Sequence, residues 1–316
     1  MNMKKSFGMA ACAMLLMMAC TGQKGAAQGE SGAEDSLAAD TAFAASDTLV
    51  FKGVVYQDSL PYKVKIVDYS GDEEPYPYTV ETVTDTWEVN TLWAVGGPAE
   101  AVAFVNQWLT LDAAGADSYS VHTAAEVAKA YEALKKKGVT DVRSALKRSR
   151  GEHQPDDDDD VDVDEMEERA FASQNEFSQS ISVMWQTKNV LTLWDSGYDY
   201  SAGAAHGMPW GAAKTFDLKN LRILTLDDII TESGKQAVLK MIFDQLEDEY
   251  ADVWDMASDA SDFPGAAPAL DKDGVRFDYA AYELGAYAMG MPSAVIPYEK
   301  IKKYLTPGVK ELLGME

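Results

Sequence analysis

The side chains best suited to chemistry in this chain gather in one stretch, Gly197 to Leu218, which reads GYDYSAGAAHGMPWGAAKTFDL. His206 is a side chain that can move a proton near neutral pH. Ser196, Ser201 and Asp199 stand beside it in sequence, as a nucleophile and an acidic partner would. Tyr198 and Tyr200 flank the Gly-rich turn that carries His206, and Trp210 follows it. Rings with a polar edge are the kind that line ligand sites. The chemistry open to this set is hydrolysis of a glycan or peptide around His206. The stretch has no Gly-x-Ser-x-Gly elbow, however, and nearness in sequence does not build a triad. Gly203 to Gly207 also lacks the Gly-Lys-Ser/Thr ending of a phosphate cradle. The alternative role for His206 is to tie down a tight turn. No catalytic residue is assigned on this basis. The ligand-binding candidates are Tyr198, Tyr200, His206 and Trp210, with Tyr282 and Tyr287 from the aromatic, Gly-containing run Tyr279 to Met291.

Metal and thiol chemistry find little support. The chain has 3 histidines, His122, His153 and His206, and no His-x-x-x-His or His-Glu-x-x-His pair. A helical zinc site is therefore not expected, and neither a metal nor a cofactor is assigned. Five consecutive aspartates, Asp156 to Asp160, offer the oxygens that calcium prefers. They lack the spaced ligands and central Gly of an EF-hand, and like charges in a run repel and stay solvated. The 2 cysteines are Cys12 and Cys20, so the folded part is expected to carry neither a disulfide nor a reactive thiol.

Those cysteines point to a compartment. Lys4 and Lys5 precede an apolar run from Phe7 to Ala19, too short to span a bilayer and of signal-peptide length. It ends in Leu16-Met17-Met18-Ala19-Cys20, a small residue followed by cysteine. Residues 1–19 thus read as a lipoprotein signal peptide and Cys20 as the lipidated start of the mature chain. Residues 20–47, rich in Gly, Ala, Ser and Gln, cannot bury enough apolar surface to fold and read as a flexible tether. The chain is then expected on the bacterial cell envelope, held to the membrane by its lipid. The formal net charge of -25 makes nucleic acid a poor partner, because backbone phosphates need clustered Lys and Arg. A cationic protein would be attracted, through a long-range field that salt screens.

The elements that must position the candidates predict an α+β class, two small antiparallel-sheet-plus-helix domains at residues 48–150 and 171–316, with an acidic linker at 151–170. In the first, Leu49-Val50-Phe51 and Val54-Val55-Tyr56 predict a strand interrupted at Gly53. Tyr62, Val64 and Ile66 alternate with lysines as a second strand, and Thr79 to Val95 extends as a third. Pro98 opens a helix whose Ala101, Phe104, Val105 and Trp108 share one face. The capping box Thr123-Ala124-Ala125-Glu126 starts another, closed by Lys135-Lys136-Lys137-Gly138. Trp87, Trp93 and Trp108 fall at sheet and helix periods and read as core, although a sugar-stacking platform would use the same rings.

In the second unit Phe177, Gln179, Ile181, Val183 and Trp185 alternate with a serine-rich wet side. Val190 to Trp194 returns, and Lys214 to Leu218 forms a third strand. Thr225 caps a one-turn helix, and Ser233-Gly234-Lys235-Gln236 has the form of a capping box opening a helix to about Tyr250. Val275 to Phe277 and Ala294 to Ile296 are strands, and Tyr298 to Leu305 is a short helix stopped before Pro307.

Five phrases in this order, YDYSAGAAHG, TFDL, LTLDDII, GVRFDYAAYELGAYAMG and AVIPYEKIKKYL, resemble the RsiV-like extracytoplasmic domain family. That family is shared by the lysozyme-sensing anti-sigma factor, a group of peptidoglycan deacetylases and many uncharacterised lipoproteins. The resemblance covers about Phe177 to Leu305, and Thr48 to Lys137 is similar to a companion domain in element order. The turn here is Gly203-Ala204-Ala205-His206 where the family has Gly-Gly-Ala-His. The chain carries neither a sigma-binding segment nor a deacetylase domain. The resemblance therefore implies a non-catalytic binding module, with a lysozyme-like protein or a peptidoglycan fragment as its ligand.

Overall fold

The computed structural model describes residues 47–71, 74–114, 168–169, 172–251 and 262–315, with isolated helical positions at 133, 136, 138–140, 143 and 144. The expected signal peptide, Cys20, nearly all of the expected tether, the expected capping box at 123–126, His122, His153 and the aspartate run lie outside the described residues.

Ten strands are described: β1 (Val50–Val67), β2 (Tyr78–Gly96), β3 (Glu168–Arg169), β4 (Glu176–Gln186), β5 (Val190–Tyr200), β6 (Met208–Asp217), β7 (Arg222–Ile223), β8 (Ala269–Leu270), β9 (Gly274–Asp278) and β10 (Ser293–Pro297). The helices are α1 (Ala99–Ala114), α2 (Leu226–Ile229), α3 (Lys235–Glu249), α4 (Tyr298–Ile301) and α5 (Pro307–Leu312). The α+β class is as expected. The two units do not, however, each close a sheet of their own. β2 pairs in parallel with β4, from Thr86 beside Glu176 to Asn90 beside Ser180. A single 7-stranded sheet, ordered β3-β1-β2-β4-β5-β6-β7, thereby joins residues from both sides of the acidic segment. A 3-stranded antiparallel sheet, β10-β9-β8, stands apart from it.

Both sheet faces near β5 are covered, and the alternation of side chains explains how. Leu191 and Leu193 join one core with Val54, Tyr56, Trp93 and the α1 residues Val102, Val105 and Leu109. Val190 points the other way, into a second core with Ile242 of α3, Phe277 of β9 and Ile296 of β10. α1 is docked by a side chain that replaces a strand neighbour. Asn106 accepts from the Ala94 N–H at 2.8 Å and donates to the Ala94 carbonyl at 2.9 Å. The three tryptophans are core, as read. Trp93 is fully buried, Trp87 stacks on Phe177 at 4.0 Å, and Trp108 meets the Phe216 ring edge-on.

Several local expectations are corrected. β1 runs unbroken through Gly53 and absorbs the Tyr62–Ile66 strand, because β2 pairs with it along its whole length. Residues 138–140, 143 and 144 are helical, so Gly138 does not close the second helix. A Cβ there would collide with the Tyr56 ring, so Gly138 serves close packing instead. In β4 the register shifts between Val183 and Trp185, which carries Trp185 to the face of the second core, away from the face it was expected to share with Phe177 and Ile181. Thr225 and Asp228 form the capping box of α2. The Ser233 box does not form: Glu232–Gly234 is a 3-10 turn, the Gly234 N–H bonds the Thr231 carbonyl, and α3 starts after Gly234. The short helix from Tyr298 stops before Pro307 as expected, and Pro307 opens a further one, with Thr306 accepting from the Val309 N–H.

The small sheet is fastened to the large one by buried polar groups. Leu270 in β8 turns both main-chain groups toward two threonines. Its N–H donates to Thr215 Oγ1 at 2.8 Å, and its carbonyl accepts from Thr192 Oγ1 at 2.6 Å. The two hydroxyls lie 3.0 Å apart, so Thr215 donates to Thr192 and the ring of bonds closes. Asp278 of β9 adds a second tie, accepting from the Ala213 N–H of β6 at 3.3 Å and from Arg276 Nε at 2.6 Å. Burial pushes the Asp278 carboxyl above the usual aspartate range, with Arg276 opposing that shift. Thr215→Val keeps the shape and strands a buried N–H. It is expected to lower unfolding stability by about 1–3 kcal/mol in a denaturant titration.

Candidate functional site

The candidate stretch folds as a long β-hairpin. β5 continues to Tyr200 and β6 begins at Met208, so Tyr198, Tyr200 and Trp210 are strand residues and only residues 201–207 form the turn. The strand expected from Lys214 thus begins earlier, at Met208. Two strand glycines make the pairing possible. Gly197 sits opposite Trp210, and a Cβ on it would collide with the Ser178 carbonyl and the Trp210 indole. Gly211 likewise lies under Trp194. The indoles cover the bare glycines across the strands.

At the tip, His206 has two hydrogen-bond partners. Nδ1 lies 3.0 Å from the Gly207 carbonyl and Nε2 2.9 Å from the Tyr282 hydroxyl. A carbonyl only accepts, so Nδ1 carries the proton and, in the neutral ring, Nε2 accepts from Tyr282. The Tyr287 hydroxyl donates to the same Gly207 carbonyl at 2.9 Å, while its ring stacks on His206 at 4.0 Å between centroids. The Tyr282 and Tyr287 rings lie 5.5 Å apart. Tyr198 packs behind this group, its ring against Gly207 where a Cβ would not fit.

The tip is thus clamped onto the segment between β9 and β10. Tyr282 has φ 69°, the left-handed region that a tyrosine rarely enters. It is held there with 49% of its surface exposed. His206 too is exposed. The structure therefore brings together three of the six candidates, His206, Tyr282 and Tyr287, with Tyr198 in contact with their loop. Trp210 stays within the sheet over Gly197. Neither Ser196, Ser201 nor Asp199 bonds to His206. Among the described residues no three His, Cys, Asp or Glu side chains gather where they could share a metal ion.

Tyr200 belongs to a neighbouring cleft of about 530 Å³, whose lining includes Thr82, Thr84, Gln174, Glu176, Tyr198 and Tyr200. Its far wall is set by Asp85 and Asn175, which the sequence reading missed. Asp85 is fully buried and accepts from the Asn175 N–H at 2.9 Å, Asn175 Nδ2 at 3.0 Å and the Tyr62 hydroxyl at 3.2 Å. Asn175 Oδ1 in turn accepts from the Ala202 N–H at 2.8 Å, at the start of the hairpin turn. One signal in the sequence was available: an aspartate in the middle of an apolar, Trp-rich strand must find donors when buried.

Gly197→Ala is expected to cost about 1–3 kcal/mol by overpacking, because the Ser178 carbonyl belongs to a paired strand and cannot retreat. Gly53→Ala, with open space around the new methyl, is expected to leave stability unchanged or slightly higher. Urea midpoints of the two variants check the contrast.

With the geometry established, comparison places the fold. Residues 227–299 match the family model described as Protein of unknown function (DUF3298). That span includes Tyr282 and Tyr287 and starts after His206. No curated protein matches the chain. A solved DUF3298-family protein from Pseudomonas aeruginosa PAO1 is 16% identical over 81% of this chain and 96% of its own, with a TM-score of 0.42. A solved member of the same family from Bacteroides fragilis is 22% identical, covers 84% of this chain and 98% of its own, and has a TM-score of 0.50. The C-terminal region thus carries a DUF3298 match, on a fold similar to that of a solved DUF3298 protein.

Proposed function

We propose that the chain is a lipid-anchored, non-catalytic binding protein of the bacterial cell envelope, with the exposed rings of His206 and Tyr282 and the half-buried ring of Tyr287 as its contact surface. The observation that carries this reading is the commitment of both His206 nitrogens. One is bonded to the Gly207 carbonyl and the other to the Tyr282 hydroxyl. An imidazole bound in this way holds a loop; a general base needs a nitrogen free to face its substrate. Clamped, exposed aromatic side chains with little rotamer freedom suit recognition, because little ordering entropy is lost on contact.

The net charge of -25 favours a cationic partner and speeds its approach. A lysozyme-like protein has that character, and the RsiV-like resemblance points to the same ligand. A peptidoglycan fragment is the other ligand the resemblance implies. Anchoring through Cys20 would hold the folded part within reach of either.

Biolayer interferometry checks this with a soluble form beginning at Asp47, presented to hen lysozyme and to disaccharide muropeptides. At low salt, lysozyme is expected to bind, to weaken as salt rises, and to lose about tenfold or more in affinity to Tyr282→Ala. If neither lysozyme nor muropeptide is retained at low salt, the proposed ligand class is wrong.

A further inference from the structure

The cleft beside the hairpin has a composition of its own. Its lining includes two tyrosine rings, two threonine hydroxyls, the Gln174 amide and a single charged group, the Glu176 carboxylate. Among the described residues, none of these six side chains makes a hydrogen bond to the protein. The tyrosines stand two residues apart on β5 and so project from the same face, with their Cα atoms about 7 Å apart along the strand. Opposite them, the segment at 172–176 is fixed through Asn175, whose main chain also accepts from the Thr86 N–H at 3.0 Å. The wall is rigid before any ligand arrives, and its polar groups are unspent.

Among the described residues, the cleft continues along β4 onto a part of the sheet face where Ser180 and Ser182 are exposed. α1 covers the opposite face, where Phe177 and Ile181 of β4 point. On the open side Glu176, Ser178 and Ser180 of β4 stand beside Thr86, Glu88 and Asn90 of β2. Across β5 they pair with Tyr200, Tyr198 and Ser196. The face thus continues the cleft with the hydroxyls of Thr86, Ser178, Ser180 and Ser196, each able to donate and to accept, beside the bonded pair Glu88 and Asn90.

We infer that this cleft binds a neutral oligosaccharide, with sugar rings against Tyr200 and Tyr198 and ring hydroxyls bonded to Thr82, Thr84 and Gln174. Sugars present apolar faces and hydroxyls that both donate and accept, and the cleft supplies counterparts to each. An anionic ligand is disfavoured, because among the described lining residues the only charged side chain is the Glu176 carboxylate. A wholly apolar ligand would desolvate the threonines and the amide without return. The site lies on the other side of Tyr198 from the His206 cluster and does not depend on the lipid anchor or on a cationic partner.

Calorimetric titration of the intact protein with chitotetraose, cellotetraose and, as an anionic control, tetragalacturonate tests this. At least one neutral tetrasaccharide is expected to bind, and tetragalacturonate at least about tenfold more weakly. Tyr200→Ala is expected to reduce neutral binding at least tenfold and Tyr200→Phe less than threefold, since the ring does the stacking. Thr84→Val, nearly isosteric, is expected to weaken it severalfold, which keeps the test open if Tyr200→Ala fails to fold. Tyr282→Ala is expected to leave sugar binding within twofold, so failure here and failure of lysozyme binding are separable. Absence of binding by both neutral sugars, preference for tetragalacturonate, or unchanged binding in both Tyr200→Ala and Thr84→Val would overturn the inference.

Discussion

Leu270 is buried with a main-chain donor and acceptor that no strand neighbour takes up, and Thr192 and Thr215 satisfy both. That closed set of bonds decides how the 3-stranded sheet sits on the 7-stranded one. A buried amide without a partner is costly, so the small sheet has few alternative positions that keep its polar groups satisfied. Everything near the hairpin inherits this constraint. The segment carrying Tyr282 and Tyr287 joins β9 to β10, and β9 is tied to β6 through Asp278 and Ala213. The clamp on His206 is therefore the outer end of a connection that starts deep between the sheets.

Seen from that side, the strained Tyr282 is intelligible. A left-handed tyrosine costs on the order of 1–3 kcal/mol, and the tertiary contacts around it must hold that conformation. What results is a cluster of three rings, set by the backbone of two different segments, with His206 and Tyr282 exposed and Tyr287 half-buried. The same hairpin also borders the cleft, through Tyr198 and Tyr200. One strand thus contributes to both surfaces, and Tyr198 belongs to each: its ring packs on Gly207 and lines the cleft.

The sequence made the class and many of the elements legible because their signals are local. Alternation marked β4, the Thr225-Asp228 spacing marked the cap of α2, and the tryptophans at sheet and helix periods were core. What was hidden is non-local. The parallel pairing of β2 with β4 joins residues on opposite sides of a run of aspartates, and no periodicity reports it. Gly53 looked like a break because glycine usually weakens strands, yet β2 holds it in place. Gly197 and Gly211 are bare strand positions that indoles cover, a pairing across strands that no local pattern reports. Five of the six ligand candidates came to lie at the two surfaces, while their partition between clamp and cleft, and the Asp85–Asn175 support, emerged only from packing.

The central claim is that His206 holds the hairpin and does not act on a substrate, and its tautomer tests this most directly. In free neutral histidine the proton prefers Nε2, whereas the bond to the Gly207 carbonyl requires it on Nδ1. Nitrogen-15 NMR of the neutral imidazole should show a pyrrole-type Nδ1 and a pyridine-type Nε2 for His206, with the Nε2 signal shifted in Tyr282→Phe. A proton found on Nε2, unaffected by that substitution, would contradict the clamp and return His206 to consideration as a proton-transfer group.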